Sequence, residues 1–366
     1  MQFEKLTYRS VRTRAVSIPL TRPVVARVGE FKEWPVILID LETEEGITGT
    51  SYLEPYLANS VRYIMPAIHD LIDRRRGDAI APAADFQIHR KMLSLIGLQG
   101  VSTIAIAGID MAAWDALAKA ASMPLCRLLG GNTEPVAAYN SNGLWLTPTE
   151  TLEQEASELK AEGDFTALKL RIGRDDLADD LNALNAVRRG AGNDIKLMCD
   201  FNQGQTIGDA LARCHALDDQ GLYWFEEPIP YDEINGYSQL TRELTTAVQL
   251  GENFYGPRRL YEAINAKAGD YMMPDLMRIG GVTGWLHSAS IAGAAGVPIS
   301  SHLYPEFSAH LLRVTETSHW LEWQDWVNPI LTQPFELSDA KLSIPERPGA
   351  GIEWDETAVQ QYEMDK

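Results

Sequence analysis

Three acidic residues close successive apolar runs at a regular interval: Asp200 in Cys199-Asp200-Phe201-Asn202, Glu226 in Trp224-Phe225-Glu226-Glu227-Pro228, and Glu252 in Leu250-Gly251-Glu252-Asn253. The spacing is 26 residues in both intervals, the length of one strand and its return helix. Three neighbouring parallel strands would then present their carboxylates at one mouth. A donor set made only of oxygen, with no Cys and no paired His, suits Mg²⁺ rather than zinc, water and substrate oxygens completing the octahedron. An acidic chain places some carboxylates after apolar runs by chance, as solvated helix caps. Three in consecutive units are much harder to ascribe to chance. Glu227 adjoins Glu226, and strand alternation points it the other way.

Other run ends carry Ser141, Lys169 with Arg171, Asp275, His302 and Glu322. Lys169 and Arg171 are two apart, so both face the barrel interior if either does. As counter-ions they would neutralise nearby acids. As catalysts, Lys169 is the better candidate base, because burial beside another cation depresses a lysine while an arginine stays protonated. Asp275 and His302 end neighbouring runs and form a candidate dyad, the carboxylate fixing the imidazole tautomer. Glu322, among Trp320, Trp323 and Trp326, is a candidate for a carboxyl kept protonated by burial. His310 and His319 fit packing or surface positions. Ile279-Gly280-Gly281-Val282-Thr283-Gly284 satisfies neither phosphate-loop pattern and reads as a tight turn. GxSxG is absent, which leaves a serine-hydrolase mechanism without an anchor.

The elements that must position these residues follow from apolar periodicity. Residues 1–130 read as an α+β capping domain, with alternating segments at Arg12–Ile18 and Pro35–Leu41, a turn at Glu44-Glu45-Gly46, and helical spacing over Val61–Arg76 and Ala105–Ala121. Residues 131–330 show eight short apolar runs, each followed by a helical stretch: Val136–Ser141, Ala167–Arg171, Ile195–Asp200, Tyr223–Glu226, Val248–Glu252, Tyr271–Asp275, Val297–His302 and His319–Glu322. That repetition predicts a closed (β/α)₈-type barrel with the active site at the strands' C-terminal ends. Residues 331–366 read as a loop-rich segment returning to the capping domain.

With 366 residues the chain is too long for one small module. Its 32 Lys and Arg against 51 Asp and Glu give a net charge of −19, which repels nucleic-acid phosphates and anionic lipid surfaces. Cys126, Cys199 and Cys214 are odd in number and irregularly spaced, which suggests neither disulfides nor a thiolate metal site and fits a reducing compartment. The N-terminal stretch Met1-Gln2-Phe3-Glu4-Lys5 lacks a signal-peptide pattern, and Ser288–Ile299 is too short and too broken to span a membrane. A soluble, cytoplasmic protein is expected.

The ordered stretches Gly108–Asp115, Ala167–Gly173, Asp200–Gln203, Glu226–Pro228, Gly251–Asn253, Pro274–Trp285, Ser300–Leu303 and His319–Glu322 together resemble the enolase superfamily and, within it, the mandelate racemase subgroup, over nearly the whole chain. Sites of that superfamily pair a Lys or His base with Mg²⁺. The resemblance implies that Asp200, Glu226 and Glu252 bind Mg²⁺, that Asp275 with His302 is the base, that Glu322 is the electrophilic acid, and that Lys169 meets the carboxylate of a small-molecule substrate. It also implies a homo-oligomer. The subgroup's Lys-x-Lys strand reads Lys169-Leu170-Arg171 here, an arginine in place of the second base.

Chain-wide similarity therefore implies a racemase or epimerase acting through an enediolate, whereas the single conventional base favours an acid-sugar dehydratase. A catalytically silent metal- and ligand-binding homologue is a further alternative, and metal-dependent hydrolysis is disfavoured by the lack of His-rich ligation. Specificity loops are expected at Pro23–Trp34 and Tyr52–Tyr56, where Phe31, Trp34 and Tyr56 would form an apolar lid while Arg27 and Glu54 address hydroxyls or a second charge. Ser141 and Asn202 complete the candidate substrate contacts.

Overall fold

The fold was obtained as a computed structural model in which residues 5–364 are described. Met1–Glu4, most of the stretch read for a leader, lie outside them. The chain opens with an antiparallel meander of β1 (Tyr8–Ala26), β2 (Gly29–Thr43) and β3 (Thr48–Leu53). Val16, Ile18, Leu20 and Val24 alternate inward along β1, while Val36 to Ile39 on the central β2 are buried on both faces. Pro23–Trp34, expected as a loop, is instead the tip of the β1–β2 hairpin, with Val24 opposite Phe31 and Val25 opposite Glu30. The turn is allowed by Gly29 at φ 143°.

Behind the sheet lies the helix Val101–Ala120, so apolar that its length and composition would suffice to cross a membrane, yet 78% of that window is buried in the fold. Its approach to β3 is close: a Cβ on Gly49 would stand 2.0 Å from the Ala112 carbonyl oxygen. The helix Pro82–Leu93 is an element that periodicity missed. Its apolar stripe is short, with Phe86 buried against Gly280 of the barrel.

β4 (Val136–Asn140), β5 (Ala167–Arg171), β6 (Lys196–Asp200), β7 (Trp224–Glu226), β8 (Ala247–Leu250) and β9 (Tyr271–Met272) pair in order and in parallel. The seventh run, Val297–His302, is not a continuous strand. Ile299 bridges Met272 and Ser318, and His302 bridges Asp275. Pro298 has no N–H to give a ladder, which accounts for the interruption. β10 (Leu321–Trp323) pairs in parallel with β4 and closes the ring. β11 (Leu337–Ser338) and β12 (Lys341–Leu342) extend β4 antiparallel on its outer side.

The two regions are locked by buried carboxylates on the long helix. Asp110 accepts from the Thr283 N–H at 2.8 Å and the Thr283 hydroxyl at 2.6 Å. Asp115 accepts from the Thr50 N–H at 2.7 Å and the Ala350 N–H at 2.6 Å, joining the sheet to the C-terminal segment. That segment also reaches β1, where the Met364 N–H donates to the Ala15 carbonyl.

Candidate active site

Parallel register sets the mouth. Arg171 aligns with Asp200, and Asp200 with Glu226, so the ends of β5, β6 and β7 stand level. Glu252 lies two residues beyond β8, past Gly251 at φ 128°. Asp200 and Glu226 are buried, while the Glu252 side chain keeps 13% exposure. A layer of Tyr139, Ala167, Met198, Trp224, Met273 and Trp320 fills the barrel below them, and the Trp224 indole donates to Glu226 at 2.9 Å.

Lys169 occupies the centre. Its Nζ donates to Glu226 Oε1 at 2.6 Å and stands 2.7 Å from Glu322 Oε1 and 3.6 Å from Asp200 Oδ2. Lys169 Nζ and Glu322 Oε1 form an ion pair at 2.7 Å. Burial alone would lower the ammonium pKa, but Glu226 and Glu322 outweigh it and hold Lys169 charged. The expectation that Lys169 is a depressed-pKa base is therefore corrected: its neighbours are carboxylates, and they reverse the shift.

Glu322 likewise departs from expectation. Burial raises its carboxyl pKa, yet the charges of Lys169, His302 and Arg171 outweigh burial and hold it below the usual carboxylate range. Oε2 accepts from the Leu303 N–H at 2.9 Å. The neighbouring cations, rather than the tryptophans next to it in sequence, set the direction of that shift.

Asp275 and His302 are brought together at the mouth. His302 Nδ1 lies 2.8 Å from Asp275 Oδ2, while Nε2 looks toward Glu252 Oε2 at 3.3 Å and Glu322 Oε2 at 4.0 Å. Asp275 Oδ1 is taken by the N–H groups of Met277 and Arg278, which fixes the carboxylate that orients the ring. Burial pushes the imidazole pKa down, and Glu252, Glu322 and Asp275 together carry it up to about 9.

Above these groups opens a cavity of about 400 Å³. Lys169, Arg171, Asp200, Asn202, Glu252 and His302 line its floor, and Phe31, Trp34 and Tyr56 its roof. Arg171 Cζ sits 4.0 Å over the Trp145 ring with Nε 3.5 Å from Asp200. The Asn202 amide and N–H both bond Asp200. Three expected substrate contacts are placed elsewhere. Ser141 is wholly buried below the mouth, its carbonyl accepting from Arg171. Arg27 faces a neighbouring cleft beside Arg174 and Arg213 and bonds the Gly173 carbonyl. Glu54 lies behind the roof, accepting from the Trp34 indole at 2.6 Å. Sequence reasoning missed Trp145, Asn253 and Arg278. The first two hold Arg171 and Glu227, and Arg278 lies three residues past Asp275 within a stretch already singled out.

Among the described residues no three His, Cys, Asp or Glu side chains converge into a ready-made metal cage. The donor chemistry nevertheless fits a hard divalent cation. Asp200, Glu226, Glu227, Glu252 and Glu322 crowd one mouth, and burial followed by carboxylate repulsion pushes the Glu227 pKa far up. Burial also raises Glu226 against the pull of Lys169, with Asp200, Glu322 and Glu252 adding to the rise. A cluster whose own cations do not balance it is one that a divalent ion would satisfy.

Residues 8–130 match the mandelate racemase / muconate lactonizing enzyme N-terminal domain, and residues 151–358 the enolase C-terminal domain-like model. L-talarate/galactarate dehydratase of Salmonella typhimurium is 29% identical over 95% of this chain and 89% of its own length. L-Ala-D/L-Glu epimerase of Bacillus subtilis is 24% identical over 93% of this chain and 95% of its own. Among solved structures, an enolase from alpha proteobacterium bal199 with bound Mg superposes with a TM-score of 0.96 at 52% identity, covering 98% of this chain and all (100%) of that one. An enolase from Bradyrhizobium complexed with magnesium and mandelic acid gives 0.94 at 38% identity, covering 99% and 100%.

Proposed function

Because this chain belongs to the mandelate racemase / muconate lactonizing enzyme family of the enolase superfamily, we propose that it is a Mg²⁺-dependent enzyme that removes the α-proton of a 2-hydroxy carboxylate and then expels a β-hydroxyl. The observation that carries this is the His302–Asp275 pair at 2.8 Å with Nε2 turned toward Glu252 and Glu322. Asp200, Glu226 and Glu252 would hold the cation, whose chemistry when bound is to withdraw electron density from the substrate carboxylate.

His302 Nε2 takes the proton, and Asp275 supports the imidazolium through Nδ1. Lys169, at the centre of the cluster, meets the substrate carboxylate and balances the enediolate charge. Glu322 positions Lys169 and His302. Arg171 keeps its proton and adds positive charge from the Trp145 side. The His302 imidazolium returns that proton to the departing β-hydroxyl, so water leaves, and the enol that remains takes a solvent proton at C3 to become the 2-keto acid; no second base is needed. The roof of Phe31, Trp34 and Leu57 gives the site an apolar cover.

A second reading, racemisation or epimerisation, is favoured by the apolar character of that roof, which offers few partners to a chain of hydroxyls. Incubation of the Mg²⁺-loaded protein in D₂O with hydroxy-acid and acid-sugar libraries separates the two. A 2-keto product with deuterium arriving only at its C3 supports elimination. Inverted, α-deuterated substrate overturns it in favour of racemisation. Arg171→Lys provides the complementary test: a second ionisable amine on this strand should introduce inversion that the parent lacks.

A further inference from the structure

Each buried arginine among the described residues has a carboxylate partner: Arg14 has Asp40, Arg75 has Asp85, and Arg171 has Asp200. Arg278, which is partly buried, has none. No carboxylate among the described residues lies within 4.0 Å of its nitrogens; burial lowers its pKa, and Tyr56, Asp275 and Glu252 together outweigh that and raise it. Its Cζ lies 4.7 Å from the centre of the Tyr56 ring, and Nη1 donates to the Glu252 backbone carbonyl at 3.1 Å. Those contacts fix the plane of the guanidinium and leave Nε and Nη2 without protein partners. The side chain lines the 400 Å³ cavity, and neither nitrogen is sealed away from it. Its backbone is equally fixed: the N–H donates to Asp275 Oδ1 at 3.0 Å, and the carbonyl accepts from Gly256.

A pre-oriented fork with free donors open to the cavity is the geometry that receives a carboxylate or a similar anionic oxygen pair. Lys169, across the mouth on β5, is already surrounded by carboxylates and serves the reacting end of the substrate. We propose that Arg278 anchors a second anionic oxygen group of the substrate, at the end remote from Lys169, so that the preferred ligands are 2-hydroxy dicarboxylates. This rests on the reading of the cavity as the site of α-proton abstraction. It gives Arg278 a role in selecting the substrate, separate from the chemistry at His302.

The test uses ligand pairs that differ only in the far end: malate against 2-hydroxybutanoate, and 2-hydroxyglutarate against 2-hydroxypentanoate. Affinities for the Mg²⁺-loaded protein are measured by calorimetry, with Mg²⁺ affinity measured separately for each variant. The parent should favour the dicarboxylate of at least one pair by about tenfold or more, the scale of a charged hydrogen bond. Arg278→Met should erase that preference, and Arg278→Lys should retain part of it. Equal affinities within both pairs for the parent protein would overturn the proposal. So would an Arg278→Met variant that loses both members of a pair, or Mg²⁺ itself, to the same degree, because that pattern belongs to a residue holding Tyr56 and Glu252 in place. If the dicarboxylate preference is present and Arg278-dependent but no ligand exchanges its α-proton in D₂O, the anchor stands and the proposed reaction fails.

Discussion

The floor and the roof of the cavity are built on opposite principles. The floor is a set of buried charges that answer one another at 2.6 to 3.6 Å, Lys169, Asp200, Glu226 and Glu322 on barrel strands and Asp275 with His302 on bridged segments beside them. The roof is a run of apolar contacts on the tip of a hairpin and a strand-end turn, with Val28 and Leu57 still 62% and 61% exposed. Aromatic rings join the two: Phe31 to Trp34 at 6.0 Å, Trp34 to Trp326 at 4.3 Å, Trp326 to Trp145 at 6.3 Å, and Trp145 beneath Arg171. Charge fixed by a closed sheet resists change, because moving one member strands another in low dielectric. An apolar hairpin tip tolerates substitution at little cost, so substrate choice can vary over a constant reaction.

The sharpest way to break that division is at the dyad. His302→Asn should lower α-proton exchange by about 10³-fold, within the range for a positioned base, while far-ultraviolet circular dichroism and Mg²⁺ affinity stay near the parent's. Exchange retained within tenfold would mean that proton removal is not a property of the floor. Next in size, Mg²⁺ acts on the floor alone. At a hundred times its dissociation constant it should stabilise the fold by about 2.7 kcal/mol, read as a rise in melting temperature that Asp200→Asn diminishes. An equal rise in that variant would place the ion elsewhere. A disturbance confined to the capping domain comes from Gly49→Ala, whose Cβ meets the Ala112 carbonyl at 2.0 Å. It should cost about 2 kcal/mol, measured by urea unfolding, and raise KM more than it lowers kcat. A fall in kcat with KM unchanged would show that the roof is part of the reaction.

The same contrast explains what the sequence disclosed. Barrel strands are short, buried and followed by polar residues, so Asp200, Glu226, Asp275, His302 and Glu322 could be named from position alone, and the structure gathers them at one mouth. What spacing could not supply was mutual distance. Lys169 looks like a depressed base until Glu226 and Glu322 are found 2.6 and 2.7 Å away, and Glu322 looks like a neutral acid until Lys169 is found beside it. Over Val297–His302 periodicity predicts a strand where Pro298 prevents a full ladder. In the capping domain, the resemblance implied a specificity loop at Pro23–Trp34, yet a register shift between Pro19 and Val24 lets the hairpin resume pairing there. Arg278 went unnoticed because a lone arginine in a turn acquires meaning only from a partner that is missing.

Glu54 sits on the seam between the two regions and gives the smallest effect. One carboxylate oxygen accepts from Trp34 of the roof, and its backbone N–H donates to the Tyr304 hydroxyl on the barrel side. Burial pushes its pKa up to about 8; the Trp34 hydrogen bond opposes the rise, and Glu306 and Asp275 add to it. The folded chain therefore keeps this proton above the ordinary value of 4.5, where the unfolded chain releases it. The associated stability is complete below 4.5 and is lost as pH rises toward 8. Glutamine imitates the protonated form at every pH, so Glu54→Gln should flatten the decline. Measured by urea unfolding, the variant should match the parent near about pH 5 and be the more stable of the two near about pH 9. Parallel profiles would show that Glu54 ionises freely, and hence that water reaches the seam and the roof does not close over the floor as a dry lid.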